Sequence, residues 1–289
     1  MSIFQQPVSI VIPVYNEEKT ILQTIQTIES VVKSRNTPYE IIVVNDGSTD
    51  KTSELLRGQN KLILVQHAYN RGYGASLLSG IRKAHHEYVL ILDADGTYPS
   101  EDIPRFLEAM EDQDMVVGAR EGKSALGSSS RRAARWCLVK LANYLTDYQI
   151  PDLNSGMRLM KKSIVLEFAH LLPQNFSFTT TITLAMLCSN YTVTYIPIRY
   201  QKRLGGRSHI KPIQDLLNFL QLIVRTIMYF RPLKIFIPFG IFLCVVIVIA
   251  FISDILEHNL TDKTVVLIST FFIVMSIGSL ADLIIKRTK

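Results

Sequence analysis

Two stretches near the carboxyl end of the sequence, Ile235–Ser253 and Thr264–Ala281, contain no charged side chain. As helices, each is about long enough to cross the ~30 Å hydrocarbon core of a bilayer. The plain alternative is a pair of buried core helices in a soluble protein, and two such runs in succession favour the bilayer. The connecting segment, Asp254–Lys263, is short and leans acidic. Basic residues flank the pair on the outside: Arg231 and Lys234 before it, Lys286, Arg287 and Lys289 after it. Positive charge stays on the cytoplasmic side of a membrane, so a multi-pass hairpin is expected with both termini and the preceding domain in the cytoplasm. Val8–Ile12 is too short for the apolar core of a secretory signal and Pro13 ends it, so no such signal is expected.

The segment Lys211–Tyr229 leads into the hairpin. Leu216, Leu217, Leu220, Ile223, Val224 and Ile227 recur at helical spacing, with Gln214, Asp215, Asn218, Gln221 and Arg225 mostly elsewhere around the helix. Such a helix lies either in the membrane interface or on the surface of the soluble domain. The expected organisation is a cytoplasmic domain over 1–210, an amphipathic helix over 211–231 and a transmembrane hairpin over 232–289.

The first 210 residues read as α/β. Apolar strands are expected at Val8–Val14, Tyr39–Val44, Leu62–Gln66 and Tyr88–Leu92, alternating with helices at Glu17–Val32, Thr49–Leu56 and Gly74–Ala84. Alternation of this kind implies right-handed crossovers and a mostly parallel sheet, which binds ligands outside the carboxyl ends of its strands. The polar clusters Asn16-Glu17, Asn45-Asp46 and Asp93-Ala94-Asp95 fall at those ends. Gly122–Ser130 reads as a flexible segment of the kind that closes over a site.

Asp93 and Asp95, at i and i+2 past a strand, can face one hard divalent cation that also binds phosphate oxygens. The bland reading is a turn with solvated carboxylates. Asp46 could accept hydrogen bonds from a nucleobase or ribose, or belong to turn chemistry with Ser48 or Thr49 capping a helix. Arg71-Gly72-Tyr73-Gly74 precedes a helix, but Gly80 is misplaced for a dinucleotide fingerprint and no GxxxxGK[ST] occurs. Two basic clusters, Arg131/Arg132/Arg135 and Arg203/Arg207/His209/Lys211, could clamp phosphates or form solvated faces. The net charge of +6 is modest and no basic–aromatic stripe appears, which disfavours nucleic acid. Cys137, Cys188 and Cys244 form no metal spacing and no disulfide framework.

These motifs together resemble the inverting family 2 glycosyltransferases of GT-A fold. The resemblance rests on Ile12-Pro13-Val14-Tyr15-Asn16-Glu17-Glu18, Asn45-Asp46-Gly47-Ser48-Thr49-Asp50 and Asp93-Ala94-Asp95. Three further segments are similar to the dolichyl-phosphate mannose synthase group: Val117-Gly118-Ala119-Arg120, Asp152-Leu153-Asn154-Ser155-Gly156-Met157-Arg158 and Arg203-x-x-Gly206-x-Ser208. The resemblance spans roughly residues 7 to 212 and implies hexose transfer from a nucleotide sugar to polyprenyl or dolichyl phosphate at a bilayer. It implies that Pro13, Tyr15, Glu17, Asp46 and Gly72 hold the donor, and that Asp93 and Asp95 bind Mg²⁺ or Mn²⁺ and through it the diphosphate. Arg120, Arg131 and Arg203 would act on the acceptor phosphate or diphosphate, with Arg132, Asp152, Ser155, Arg158, Arg207, Ser208 and Lys211 on the acceptor side.

Six positions depart from the family pattern. Asn45 replaces an Asp, Thr97 stands where a metal-binding Gln is frequent, His209 replaces a Lys, and Thr179, Thr180 and Thr181 stand where Glu is frequent. They weaken mannose as the sugar and leave UDP-glucose, UDP-GlcNAc and GDP-mannose open. An ionised polyprenyl phosphate attacks without the general base that a sugar hydroxyl needs, so charge screening is the main demand. The competing expectations are a processive polysaccharide synthase, which carries a late QxxRW absent here, and a non-catalytic nucleotide-sugar-binding protein, against which the intact Asp46, Asp93 and Asp95 argue. A homo-oligomer stays open.

Overall fold

The computed structural model describes residues 6–34, 38–121, 139–174, 177–201, 212–256 and 262–288. They form two compact units, Met1–Leu222 and Ile223–Lys289. The expected lid, Gly122–Ser130, lies outside the described residues.

The first unit is built on a seven-stranded sheet of order β3-β2-β1-β4-β6-β5-β7. The strands are β1 Val8–Val14, β2 Tyr39–Asn45, β3 Ile63–Gln66, β4 Tyr88–Ile91, β5 Met115–Glu121, β6 Arg158–Lys161 and β7 Val193–Arg199. β3, β2, β1 and β4 run parallel, as do β5 and β7, while β6 is antiparallel to both its neighbours. β1 is buried along its whole length, which is why it reads as an unbroken apolar run.

Helices cover both faces. On one, α1 (Ile21–Ser34) buries Ile21, Ile25, Ile28 and Val32 at helical spacing against Ile10, Ile12 and Val43, joined by Phe106 and Leu107 of α4 (Ile103–Ala109). On the other, α3 (Tyr73–Lys83) approaches so closely that a Cβ at Gly80 would overlap Val11 and Val44. A short α2 (Thr52–Arg57) follows β2, and a helical run over 139–146 (α5) precedes β6. α6 (Lys162–Glu167) follows β6 directly. α7 (Phe178–Cys188) is buried at every position, four threonines included. α1 begins at Ile21 rather than Glu17, because the turn before it is held by Glu17 O accepting the amides of Thr20 and Ile21.

α8 (Pro212–Phe230) carries the boundary between the units. Ile223, Thr226, Ile227 and Phe230 are buried, whereas Leu220 and Val224 are exposed. In the second unit, α9 (Leu233–Leu256) and α10 (Asp262–Thr288) are long and apolar enough to cross a membrane. Their packing uses small residues, as lipid-embedded helices do. A Cβ at Gly240 would strike Met275 Sδ at 2.6 Å, and one at Gly278 would strike Phe236 Cγ at 2.6 Å. Both helices extend past the uncharged runs. Asp254, expected in the connecting loop, is a buried part of α9, and Thr264 of α10 donates to its Oδ2 at 2.6 Å.

Candidate functional site

The strand order reverses at β1, with β2 on one side and β4 on the other, so a crevice opens at their carboxyl ends. Three of the turns there use left-handed backbone: Asn16 (φ 55°), Gly47 (φ 70°) and Gly96 (φ 71°). Asn16 tolerates it because its side chain is tied locally, with Oδ1 accepting from Thr49 N–H at 2.8 Å. Gly47 is required twice over, since a Cβ would also lie 2.6 Å from the Tyr69 carbonyl carbon. Tyr15 is 44% exposed at the crevice rim. Glu17 is partly buried and accepts from Thr20 Oγ1 at 3.1 Å. Pro13, expected to hold the donor, lies buried within β1 opposite Val44, so it shapes the strand end without offering a contact surface.

Asp46 is 3% exposed and gathers the loop that follows β3. Its Oδ1 accepts from Arg71 N–H at 2.9 Å and its Oδ2 from Gly72 N–H at 2.8 Å. His67 Nδ1 lies 2.6 Å from the same Oδ1, and His67 Nε2 lies 3.0 Å from Ser79 Oγ on α3. The carboxylate therefore ties β2, the end of β3 and the start of α3 together. Gly72, in the positive-φ region at 100°, sits immediately before α3. His67 went unnoticed in the sequence because it is 21 positions from Asp46, with no local pattern joining them.

Asp93 and Asp95 sit partly buried past the end of β4. Tyr73 O–H donates to Asp93 Oδ1 at 2.8 Å. Burial, reinforced by the Asp93 charge, pushes the Tyr73 phenol well above its ordinary pKa, so it remains a donor. The Asp93 carboxylate rests on Gly156, where a Cβ would fall 2.5 Å from Oδ2. Gly156 N–H in turn donates to Tyr98 Oη at 2.6 Å. Thr97 occupies itself with Asp95, whose Oδ1 accepts from Thr97 N–H at 3.1 Å and Thr97 Oγ1 at 2.6 Å. Thr97 thus orients Asp95. Among the described residues no group of three or more His, Cys, Asp or Glu gathers as for a metal ion. Two carboxylates nonetheless suit Mg²⁺ or Mn²⁺, which bind through one or two carboxylates and take further oxygens from water and phosphate.

β6 starts at the same edge, and the loop before it reaches the crevice. Arg120, at the end of β5, donates to Asp152 through Nε (2.6 Å) and Nη2 (2.9 Å). Burial works against the guanidinium charge, but the Asp152 hydrogen bonds and charge outweigh it and raise the Arg120 pKa. The Arg120 guanidinium also lies over the Tyr200 ring at 5.3 Å. Pairing with Asp152 cancels its net charge, so Arg120 alone supplies little field for an anion.

Asp152, Ser155 and Arg158, expected on the acceptor side, are buried, at 2%, 0% and 0% exposure. Arg158 donates to Ser155 O (2.7 Å), Leu153 O (2.9 Å) and Thr183 Oγ1 (2.6 Å). It braces the loop from beneath, and burial lowers its pKa. Ser155 Oγ is buried with no hydrogen-bond partner among the described residues. Arg131, Arg132, Arg203, Arg207, Ser208 and Lys211 lie outside the described residues.

Residues 9–168 match the sequence profile of Glycosyl transferase family 2. An undecaprenyl-phosphate 4-deoxy-4-formamido-L-arabinose transferase from Pseudomonas paraeruginosa is 34% identical over 170 residues, 55% of this chain and 48% of that protein. The chain thus spans about half the length of that relative. A dolichyl-phosphate hexose transferase from Haloferax volcanii is 27% identical over 199 residues, 68% of this chain and 84% of the relative. Among solved structures, glucosyl-3-phosphoglycerate synthase from Mycobacterium tuberculosis with Mn²⁺, UDP-glucose and phosphoglyceric acid superposes with a TM-score of 0.60. That match has 18% identity and covers 77% of this chain and 80% of the synthase. The likeness bears out the expected GT-A sheet with its helices.

Proposed function

Since the chain belongs to glycosyl transferase family 2, we propose that it moves a sugar from a nucleoside diphosphate to the phosphate of a polyprenyl or dolichyl lipid. The observation that supports this most is the meeting, at one sheet edge, of two partly buried carboxylates with the loop that Asp46 gathers. The named functions of the relatives from Pseudomonas and Haloferax supply the acceptor class.

In this reading the nucleoside lies between Tyr15 and the loop around Gly72. Asp46 acts on it through that loop, since its carboxylate oxygens are engaged there. Asp93, braced by Tyr73 and Gly156, and Asp95, oriented by Thr97, hold the divalent cation. When bound, that cation supplies positive charge to the diphosphate leaving group. The acceptor phosphate is ionised and attacks the anomeric carbon from the face opposite the leaving group, inverting the configuration. The arginines implied by the family pattern, Arg131 and Arg203 with Arg132, Arg207 and Lys211, screen that anion. Arg120 contributes by fixing Asp152 and so the loop over 152–156. The apolar hairpin keeps the chain at the bilayer that holds the acceptor, with both ends cytoplasmic by the charge of its flanks.

The test is turnover of UDP-glucose, UDP-GlcNAc and GDP-mannose by the full chain, with and without polyprenyl phosphate. One donor should be consumed only when the lipid is present. Consumption independent of the lipid, or of none of the donors, overturns the reading. Asp46→Ala should raise the donor KM more than it lowers kcat, the signature of lost ground-state binding. A fall in kcat at unchanged KM would place Asp46 in the chemical step instead.

A further inference from the structure

Asn154 stands apart from its neighbours in the loop before β6. Asp152, Leu153, Ser155 and Gly156 are buried, whereas Asn154 is exposed. Its position is nonetheless fixed. Its backbone N–H donates to Asp152 Oδ1 at 3.1 Å, and its side-chain Oδ1 accepts from Thr180 Oγ1 at 2.6 Å. Thr180 is itself only 1% exposed, in the first turn of the wholly buried α7. An exposed asparagine ordinarily samples several rotamers. This one has its acceptor oxygen fastened to the protein interior, which leaves the amide NH₂ as the end that points outward.

The loop brings Asn154 close to Asp93. Gly156, two positions on, carries the Asp93 carboxylate directly above it. Two residues of extended chain span at most about 7 Å, so Asn154 is held within short reach of Asp93. A diphosphate anchored at Asp93 and Asp95 would carry its sugar on this side of the crevice. A neutral donor pair suits a hydroxyl or carbonyl oxygen on a sugar, and it adds no charge to offset a phosphate.

We propose that Asn154, oriented by Thr180, recognises the transferred sugar by donating from its amide to a hydroxyl or carbonyl oxygen of that sugar. The proposal rests on the nucleotide-sugar reading above and assigns its sugar-specificity residue. Thr180 is a positioning residue, since it acts only through Asn154.

The experiment compares binding of a nucleoside diphosphate with binding of the matching nucleotide sugar to the full chain in detergent with Mg²⁺. The pairs are UDP with UDP-glucose, UDP with UDP-GlcNAc, and GDP with GDP-mannose. For the pair the wild-type chain uses, Asn154→Ala should weaken the nucleotide sugar about five- to tenfold, the scale of one hydrogen bond, and leave the diphosphate unchanged. Thr180→Val should do the same to a smaller extent, and Thr180→Ser should restore the wild-type preference. Equal losses for diphosphate and nucleotide sugar would show a merely structural role and overturn the proposal. So would wild-type affinity for the sugar in Asn154→Ala. A wild-type chain that binds no nucleotide sugar would sink the parent reading and this proposal together, whereas the other failures leave the parent reading standing.

Discussion

Asp95→Asn is expected to lower sugar transfer by at least about two orders of magnitude, the scale of losing a principal electrostatic group at a reaction centre. The substitution keeps the shape and the contact with Thr97, whose N–H and O–H both reach Asp95 Oδ1. It removes only the charge. A structural role would therefore survive the change, and a metal-holding role would not. The matching measurement is a titration with Mg²⁺ and Mn²⁺ under chelation. Wild-type protein should lose activity in excess chelator and regain it with either ion, while the variant should need far more metal or fail to respond. Near-normal transfer by the variant, or by wild-type protein in chelator, would remove the metal from the mechanism.

Truncation after Tyr229 is expected to abolish most transfer to long-chain polyprenyl phosphate in vesicles while sparing the donor. The residues assigned to the donor all lie in the unit Met1–Leu222, which the truncation leaves whole. The removed helices present Phe242, Ile249, Phe272, Ile273 and Leu283 outward, an apolar surface suited to lipid. Without them the enzyme must meet its acceptor from solution, and drawing the lipid tail into water costs about 0.8 kcal/mol per CH₂. Short water-soluble acceptor phosphates should be affected far less. Equal rates on long-chain acceptor for the truncated and full-length proteins would show that the hairpin does not serve the acceptor.

The parallel half of the sheet was legible because its physics is local. β1, β2 and β4 are short apolar runs flanked by polar turns, a pattern that buried parallel strands impose. The apolar run Val8–Val14 coincides with β1, and the run Tyr88–Leu92 extends one residue past β4. The carboxylates at those strand ends could be picked out for the same reason. β6 was not legible. Its four residues, Arg-Leu-Met-Lys, begin and end with charge, and only pairing with β4 and β5 makes them a strand.

Burial misled in the same region. Arg158 is the kind of residue that marks a phosphate site, yet each of its three guanidinium nitrogens donates to an oxygen inside the protein. Thr179, Thr180 and Thr181 depart from the family pattern, yet Thr180 anchors Asn154, and Thr183 of the same helix anchors Arg158. Which side chain faces a cleft and which braces it from behind is decided by tertiary neighbours far away in sequence.

The reversed strand β6 has a consequence for how such a protein can change over generations. Because β6 runs against β4 and β5, the loop that enters it, and not one that leaves it, borders the crevice. The groups assigned to the nucleoside hang from the ends of β1, β2 and β3, while those assigned to the sugar hang from the start of β6 and the first turn of α7. The two sets share Asp93 as their main hinge, through Tyr73 on one side and Gly156 on the other. Substitutions on the sugar side can thus accumulate without disturbing the nucleoside side, provided Gly156 stays. On the proposed assignment, a scaffold of this kind would exchange one sugar for another through substitutions in a single loop and keep the groups assigned to the nucleotide.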